Sequence, residues 1–396
     1  MPDNETCRLA LENADCWATR AFELLMVVVY VGGLATNVAL VYWLAKVPTC
    51  LHVHLKVAFC GTAATLCFYF LTKTLQAVFN LANFVRIRWL EEPVCGDLVI
   101  PDAVCGSMMC SISFGALSVV YSFMSMAVER VWATIRYKKY EEERSVALTA
   151  AVAVFPWLLA FVAVLPRRKN LRSEIMLGYC SSFTSHLYDG RSGDATPFIK
   201  LLAVNILLSS LLLLVFVLVL WWNRRVRSGK VAPATSTAAS VRWKKATRAV
   251  VARAAAARAA AASEDLSSRY QLEENIRTSK TVAWIVLAFF VCSTVSQVCF
   301  ILSKRGVFAL LSESQMLQIV ATEVGYFSFP VFGVISTTLC MRSSSQLRAK
   351  ARQALPSFLA QRLFAEIGIV AATLAAGKDV DHMKNHFAAL DDAWKR

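Results

Sequence analysis

Seven long apolar stretches run through this chain, and they constrain its fold more than any other feature. The hydrocarbon core of a membrane offers no partner for a bare backbone amide, so an apolar segment of about 20 residues crosses it as an α-helix. The sequence therefore predicts an all-α, polytopic membrane protein that folds as a seven-transmembrane helix bundle. The predicted spans are Phe22–Lys46, Leu55–Asn80, Val104–Val131, Val146–Leu165, Phe198–Trp222, Thr281–Leu302 and Ser314–Met341.

Composition supports a membrane protein. The chain is 57% hydrophobic and only 17% charged, whereas soluble domains are about half apolar and about 25% charged. Its formal net charge of +15 could suggest nucleic acid as a partner. The basic residues lie in loops beside the spans, however, so anionic membrane lipid is the simpler partner and no nucleic acid is expected.

The distribution of Lys and Arg predicts that the N-terminus lies outside. With that orientation the cytoplasmic segments hold more than twice as many Lys and Arg as the outer segments, in line with the positive-inside rule. The second outer loop, with Arg167, Arg168 and Lys169, is the weak point of this pattern. The sequon at Asn4 agrees with an outer N-terminus and makes Asn4 a candidate glycosylation site.

This orientation defines three regions. Residues 1–21 form an extracellular N-terminus, and the first span is expected to act as an uncleaved insertion signal. Residues 22–341 form the membrane body, in which residues 223–280 make a long basic third cytoplasmic loop. Residues 342–396 form a cytoplasmic tail that begins with an amphipathic helix.

The cysteines show no metal-binding pattern, because no Cys-x-x-Cys pair occurs. An odd number of them faces the oxidising outer side, so at least one is unpaired there or pairs elsewhere. No P-loop, Gly-x-Ser-x-Gly or His-Glu-x-x-His motif is present, which argues against an enzyme. We expect neither a metal nor a cofactor. The outer cysteines are Cys7, Cys16, Cys95, Cys105 and Cys180.

A Glu-Arg pair, Glu129-Arg130, ends the third span, where an arginine on the buried side must find a partner. The pair could also mark a helix end at the headgroups. Cys105 lies about seven helical turns earlier, at the opposite side of the membrane.

Three segments resemble the nematode serpentine chemoreceptors, and the match is best to class e and its relatives in the class a superfamily. The resemblance covers roughly Ala21 to Met341. The match to rhodopsin-like receptors is only partial, because the sixth span lacks a Trp-x-Pro kink. The three segments are Met126 to Thr134, Tyr140-Glu141, and the Leu-Ser-Ser-Arg-Tyr-Gln block at Leu266 that leads through Arg277 into the sixth span.

The resemblance implies a chemosensory G-protein-coupled receptor. It would bind an odorant or pheromone-like small molecule from outside and activate a heterotrimeric G protein. It would be a multi-pass protein of the plasma membrane, and the resemblance extends this expectation to the membrane of a sensory cilium. In such receptors an acid beside the arginine holds it while the receptor is inactive, and a Cys105–Cys180 disulfide would tie the second outer loop over the bundle mouth. The residues expected to couple to the G protein are Glu129, Arg130, Arg136, Tyr140, Arg269, Tyr270, Asn275 and Arg277.

Two charges lie well inside predicted spans, Lys73 in the second and Glu323 in the seventh. Each lies about 10–13 Å below the outer end of its span. A charge in hydrocarbon is costly, so such residues face inward and pair. We predict a Lys73–Glu323 ion pair that borders the ligand cavity with Gln76, Ile112 and Gln297. Alternatively, Lys73 extends to the outer headgroups while Glu323 is protonated or bonded to a hydroxyl.

Two other classes of membrane protein are alternatives. A seven-span ligand-gated cation channel would keep its N-terminus inside, which the charge distribution opposes. A transporter would require internal repeats and broken helices, and we find no repeat.

Overall fold

The structure is a computed structural model that describes residues 17–46, 52–89, 100–136, 145–168, 176–177, 180, 196–228, 272–299, 315–343 and 348. Within these residues, seven helices are long and apolar enough to cross a membrane. The predicted seven-helix bundle is thereby confirmed. The helices are α1 (Trp17–Lys46), α2 (Val53–Trp89), α3 (Asp102–Ile135), α4 (Val146–Arg168), α5 (Thr196–Arg227), α6 (Leu272–Cys299) and α7 (Gln315–Ser343).

Several helices extend beyond the predicted spans. The α2 helix continues from Asn80 to Trp89, and α6 begins at Leu272 rather than at Thr281. The prediction placed these two boundaries at polar or charged residues, Asn80 and Lys280. A helix bonds its own backbone internally and does not end where the hydrocarbon ends, and Leu, Glu and Arg in these extensions favour helix.

The exterior of the bundle is apolar, as a membrane requires, while the interior holds buried polar residues beside an apolar core. Residues such as Leu158, Val162 and Leu211 are at least half exposed and would face lipid, while Asn37 and Ser118 are fully buried. The α3 helix packs against α2, α4 and α5, and α1 packs against both α2 and α7. This arrangement makes α3 a central helix of the bundle.

An aromatic cluster fills the middle of the bundle. The ring of Phe289 in α6 lies 4.9 Å from that of Phe123 in α3 and 5.3 Å from that of Phe332 in α7, centroid to centroid. Phe123 and Phe332 also meet, at 5.9 Å. Such tilted and edge-on contacts are favourable for aromatic pairs. The cluster joins three helices between the two polar ends of the bundle.

A two-residue antiparallel bridge pairs β1 (Ile100–Pro101) with β2 (Met176–Leu177), in the register Ile100 to Leu177 and Pro101 to Met176. The prediction of an all-α chain did not include it. The bridge forms between the segment before α3 and the loop after α4, which the Cys105–Cys180 disulfide holds close together.

Gly115 allows α3 to approach the backbone of α2. A Cβ atom at Gly115 would lie 3.1 Å from both Cα and Cβ of Tyr69, whereas a Cβ at Gly32 would meet nothing within 4 Å. Small residues allow close helix contact in membrane bundles.

Replacing Gly115 with alanine should therefore destabilise the receptor by about 1–3 kcal/mol, because overpacking forces the helices apart. Gly32→Ala should leave stability unchanged or raise it slightly, by about 0.5–1 kcal/mol. Thermal unfolding of the purified variants would measure both. Equal melting temperatures for the two variants would contradict the close approach.

Candidate functional site

One end of the bundle, which we call the disulfide end, is closed by Cys105 and Cys180. Both residues are fully buried, and their Cα atoms lie 5.3 Å apart. Cys105 is in the first turn of α3, and Cys180 belongs to the loop after α4. The disulfide expected from the resemblance is thus present. Cys7, Cys16 and Cys95 lie outside the described residues.

Two amides of α2 hold the backbone carbonyl of Cys180. Gln76 Nε2 donates to this oxygen at 2.8 Å, and Asn80 Nδ2 donates at 3.1 Å. The two side chains are four residues apart, so they lie on one helix face. Asn80 Nδ2 also donates to Glu23 Oε1 in α1, at 2.9 Å. The loop is therefore attached to the inside of the bundle as well as to α3.

Lys73 extends this polar network to α7. Its side chain is 1% exposed, and Nζ donates to Gln76 Oε1 at 2.9 Å. The same Nζ lies 3.9 Å from the ring centroid of Tyr326 in α7, within the range of a cation–π interaction. Lys73 is thus buried in the bundle and does not reach for the headgroups. The network as a whole joins α1, α2, α7 and the disulfide-linked loop.

The α2 helix continues past the predicted span end near Asn80 and ends at Trp89. Lys73 lies about 24 Å along the helix from Trp89, and its depth in the membrane stays a prediction. Its contact with Tyr326 nevertheless places it beside α7. Glu323 is one helical turn before Tyr326, on the same helix face. The side chain of Glu323 lies outside those described, so the Lys73–Glu323 pair stays a prediction.

The other two residues predicted for the ligand cavity are buried. Ile112 is 1% exposed on α3, two turns below Cys105. Gln297 on α6 donates from Nε2 to Ser293 Oγ at 3.0 Å, and its Oε1 has no hydrogen-bond partner among the described residues. A buried carbonyl oxygen of this kind can accept a hydrogen bond from water or from a bound molecule.

The opposite end of the bundle, which we call the arginine end, is organised by Arg130. Its side chain is 2% exposed, and Glu129 beside it is fully buried. Arg130 donates from Nε and Nη2 to the two carboxylate oxygens of Glu129. Nη1 donates to Thr278 Oγ1 in α6, at 2.7 Å. The bidentate bond to Glu129 lies within α3 and holds the guanidinium in place, while the bond to Thr278 joins α3 to α6.

Further hydrogen bonds join α3, α5 and α6 at this level. Asn275 Nδ2 in α6 donates to the carbonyl of Ala133 at 3.3 Å, and Asn223 Nδ2 in α5 donates to Thr134 Oγ1 at 3.1 Å. Thr134 Oγ1 in turn donates to the carbonyl of Arg130 at 2.8 Å. The first turns of α6 are therefore attached to the same segment of α3 that carries Arg130.

The remaining residues predicted for coupling have different surroundings. Arg136 is exposed, and its guanidinium lies 4.6 Å from the ring of Trp132. Arg277 is exposed and donates from Nη2 to the carbonyl of Ser343 at the end of α7, at 2.6 Å. Tyr140, Arg269 and Tyr270 lie outside the described residues.

Sequence reasoning missed Thr278, Asn223 and Tyr326. Thr278 and Asn223 fall just outside the predicted spans, where polar residues were assigned to a loop. Tyr326 is one helical turn from Glu323, so the helical period around that charge could have indicated it.

A bundle of seven membrane helices with a disulfide-linked loop at one end and a buried Glu-Arg pair at the other has the architecture of a seven-transmembrane receptor. The family described as "Serpentine type 7TM GPCR receptor class ab chemoreceptor" matches residues 4–238 and 244–362. The chain belongs to this family, and it is therefore a chemosensory G-protein-coupled receptor and a multi-pass membrane protein. The family is one of receptors and not of enzymes.

A known relative agrees with this assignment. "Serpentine receptor class alpha/beta-14" of Caenorhabditis elegans is 22% identical over 312 residues, which cover 77% of this chain and 68% of the relative. Both matches support a nematode serpentine chemoreceptor, and neither supports class e.

Proposed function

We propose that a small odorant or pheromone-like molecule binds at the disulfide end and that a heterotrimeric G protein binds at the arginine end. The N-terminus and the disulfide end would face outside, and the arginine end would face the cytoplasm. The expected location is the plasma membrane, in particular that of a sensory cilium. Residues 1–21 would be extracellular, and residues 342–396 would form the cytoplasmic tail.

The polar network under the disulfide supports this ligand site. Lys73 and Gln76 supply charge and hydrogen bonding in the interior of the bundle, with the ring of Tyr326 beside Lys73. Apolar walls with a few convergent polar groups are typical of small-molecule sites. Ile112, Gln297 and Glu323 complete the proposed lining.

The buried bond from Arg130 to Thr278 carries the proposal for coupling. It holds α6 against α3, and Glu129 keeps the guanidinium in place. A ligand that binds better to an arrangement without this bond would shift the receptor toward it. The freed Arg130, together with Asn275, would then be available to the G protein. Arg136, Tyr140, Arg269, Tyr270 and Arg277 would contribute to the same cytoplasmic surface.

Nucleotide exchange on a purified G-protein heterotrimer, with the receptor in cell membranes, tests the proposal. A panel of volatile and other small organic molecules is added, and an epitope at the N-terminus reports orientation on intact cells. We expect the epitope to be accessible and a ligand to accelerate exchange. A ligand-evoked current that persists in cells without heterotrimeric G proteins would contradict the proposal and favour a channel.

A further inference from the structure

The side chains on the exposed face of α5 change from aliphatic to aromatic to basic toward the arginine end. Val217 and Leu218 are each 51% exposed, and one turn later Trp221 and Trp222 are 51% and 45% exposed. Arg224 and Arg225 follow on the same face and are exposed as well. Along this face, aliphatic side chains are followed by indole rings and then by guanidinium groups. This order matches the layers of a lipid leaflet, from hydrocarbon through the interface to the phosphates.

The residues at this end are arranged as a unit, which we call the α5 stripe: Trp221, Trp222, Arg224 and Arg225. The guanidinium of Arg225 lies over the ring of Trp221, 5.0 Å from its centroid. Stacking on an indole leaves the edge of a guanidinium, which carries its N–H donors, open to an oxyanion. The interior side of this helix end is fixed, because Asn223 bonds to Thr134 in α3.

Arg227, which follows the stripe in the sequence, connects this end of α5 to α6. Arg227 Nη1 lies 3.0 Å from Glu273 Oε2, and the two side chains are 61% and 51% exposed. An exposed ion pair is weak, and the attraction between an anionic membrane surface and a single Arg is of comparable strength. A phosphate drawn to the stripe can therefore compete with Glu273 for Arg227.

We propose that the α5 stripe binds the headgroup of an anionic phospholipid and that this lipid competes with Glu273 for Arg227. The bound lipid would weaken the attachment of α6 to α5 and raise ligand-independent activity. The consequence for activity rests on the proposed coupling at the arginine end. The lipid binding does not rest on that proposal, because it follows from the charge and exposure of the stripe.

Lipid binding is tested first, on purified receptor in nanodiscs of phosphatidylcholine with or without phosphatidylserine. Native mass spectrometry counts the phosphatidylserine molecules that remain bound. The double variant Arg224→Gln/Arg225→Gln should retain fewer than the wild type. The control variant Lys280→Gln/Arg342→Gln removes the same charge from exposed positions at the same end and should retain as many as the wild type. Equal retention by the two variants would overturn the proposal.

Basal nucleotide exchange then tests the competition. Phosphatidylserine should raise the wild-type rate about threefold, the effect expected from loss of one exposed ion pair. The rise should disappear in the stripe variant. Glu273→Gln should already be faster in phosphatidylcholine and insensitive to phosphatidylserine. A lipid response in Glu273→Gln as large as that of the wild type would overturn the competition.

Two further outcomes separate this proposal from its rivals. If the stripe variant loses exchange while its lipid retention is unchanged, the stripe contacts the G protein and the lipid proposal is wrong. If no receptor, including the wild type, drives exchange, the proposed coupling fails, while the retention comparison still decides whether the stripe binds lipid.

Discussion

Replacing Arg130 with alanine is expected to abolish G-protein activation. Arg130 bonds to Glu129 within α3 and to Thr278 in α6, and the proposed G-protein contact requires its guanidinium. We expect ligand-evoked nucleotide exchange to fall to the level of membranes without receptor. Exchange assays on membranes with matched amounts of receptor would measure this loss. Normal activation by the variant would refute the role of Arg130.

The same substitution also affects folding, so it requires a second variant. Without Arg130 the fully buried carboxylate of Glu129 loses its bidentate cationic partner, and breaking a buried ion pair typically costs about 3–5 kcal/mol. Adding Glu129→Gln removes that charge. The double variant should regain surface expression while it remains unable to activate the G protein. If the double variant signals normally, Arg130 has only a structural role.

Replacing Lys73 with glutamate is expected to have the second large effect. The new carboxylate would be buried and would lie against the negative face of the Tyr326 ring, where the Lys73 ammonium is now attracted. An unpaired buried charge typically costs about 3–5 kcal/mol, so little receptor should reach the surface. Lys280→Glu, the same charge change at an exposed position, should be expressed normally. Surface labelling of tagged receptor would compare the two.

The charge-swapped receptor decides whether Glu323 is the partner. If Lys73 and Glu323 form an ion pair, adding Glu323→Lys to Lys73→Glu restores opposite charges and should recover most of the surface expression. Coupled residues deviate strongly from additivity, whereas independent residues do not. A double variant as impaired as the sum of the two single variants would show that the residues do not pair.

The sequence predicted the fold more completely than the site. Long apolar segments have few ways to satisfy their backbone in lipid, so the seven helices followed directly from hydropathy. The ends of the helices could not be predicted in this way. A helix such as α2 continues beyond its apolar span, and hydropathy does not indicate where the helix ends. The small β1–β2 bridge depends on two loops that only the tertiary fold brings together.

Within the site, residues marked by charge or by a motif were predicted, and their uncharged partners were not. Arg130 and Lys73 are conspicuous because a charge in a membrane span is rare. Thr278 and Tyr326 are ordinary membrane residues, and only the packing of α6 and α7 identifies them as partners. The bond from Arg277 to the end of α7 likewise depends on packing that sequence alone does not show.

The basal activity of Thr278→Val most directly tests whether the Arg130–Thr278 bond stabilises the inactive state of the receptor. A hydrogen bond to a charged group contributes at least about 1.5 kcal/mol, so its loss should raise ligand-independent nucleotide exchange roughly tenfold. Thr281→Val is the matched control. Both hydroxyls donate to a carbonyl four residues earlier in α6, at 2.8 Å from Thr278 and 3.2 Å from Thr281, but Thr278 also accepts from Arg130. We predict elevated basal exchange for Thr278→Val and wild-type exchange for Thr281→Val, and equal rates for the two variants would contradict the account.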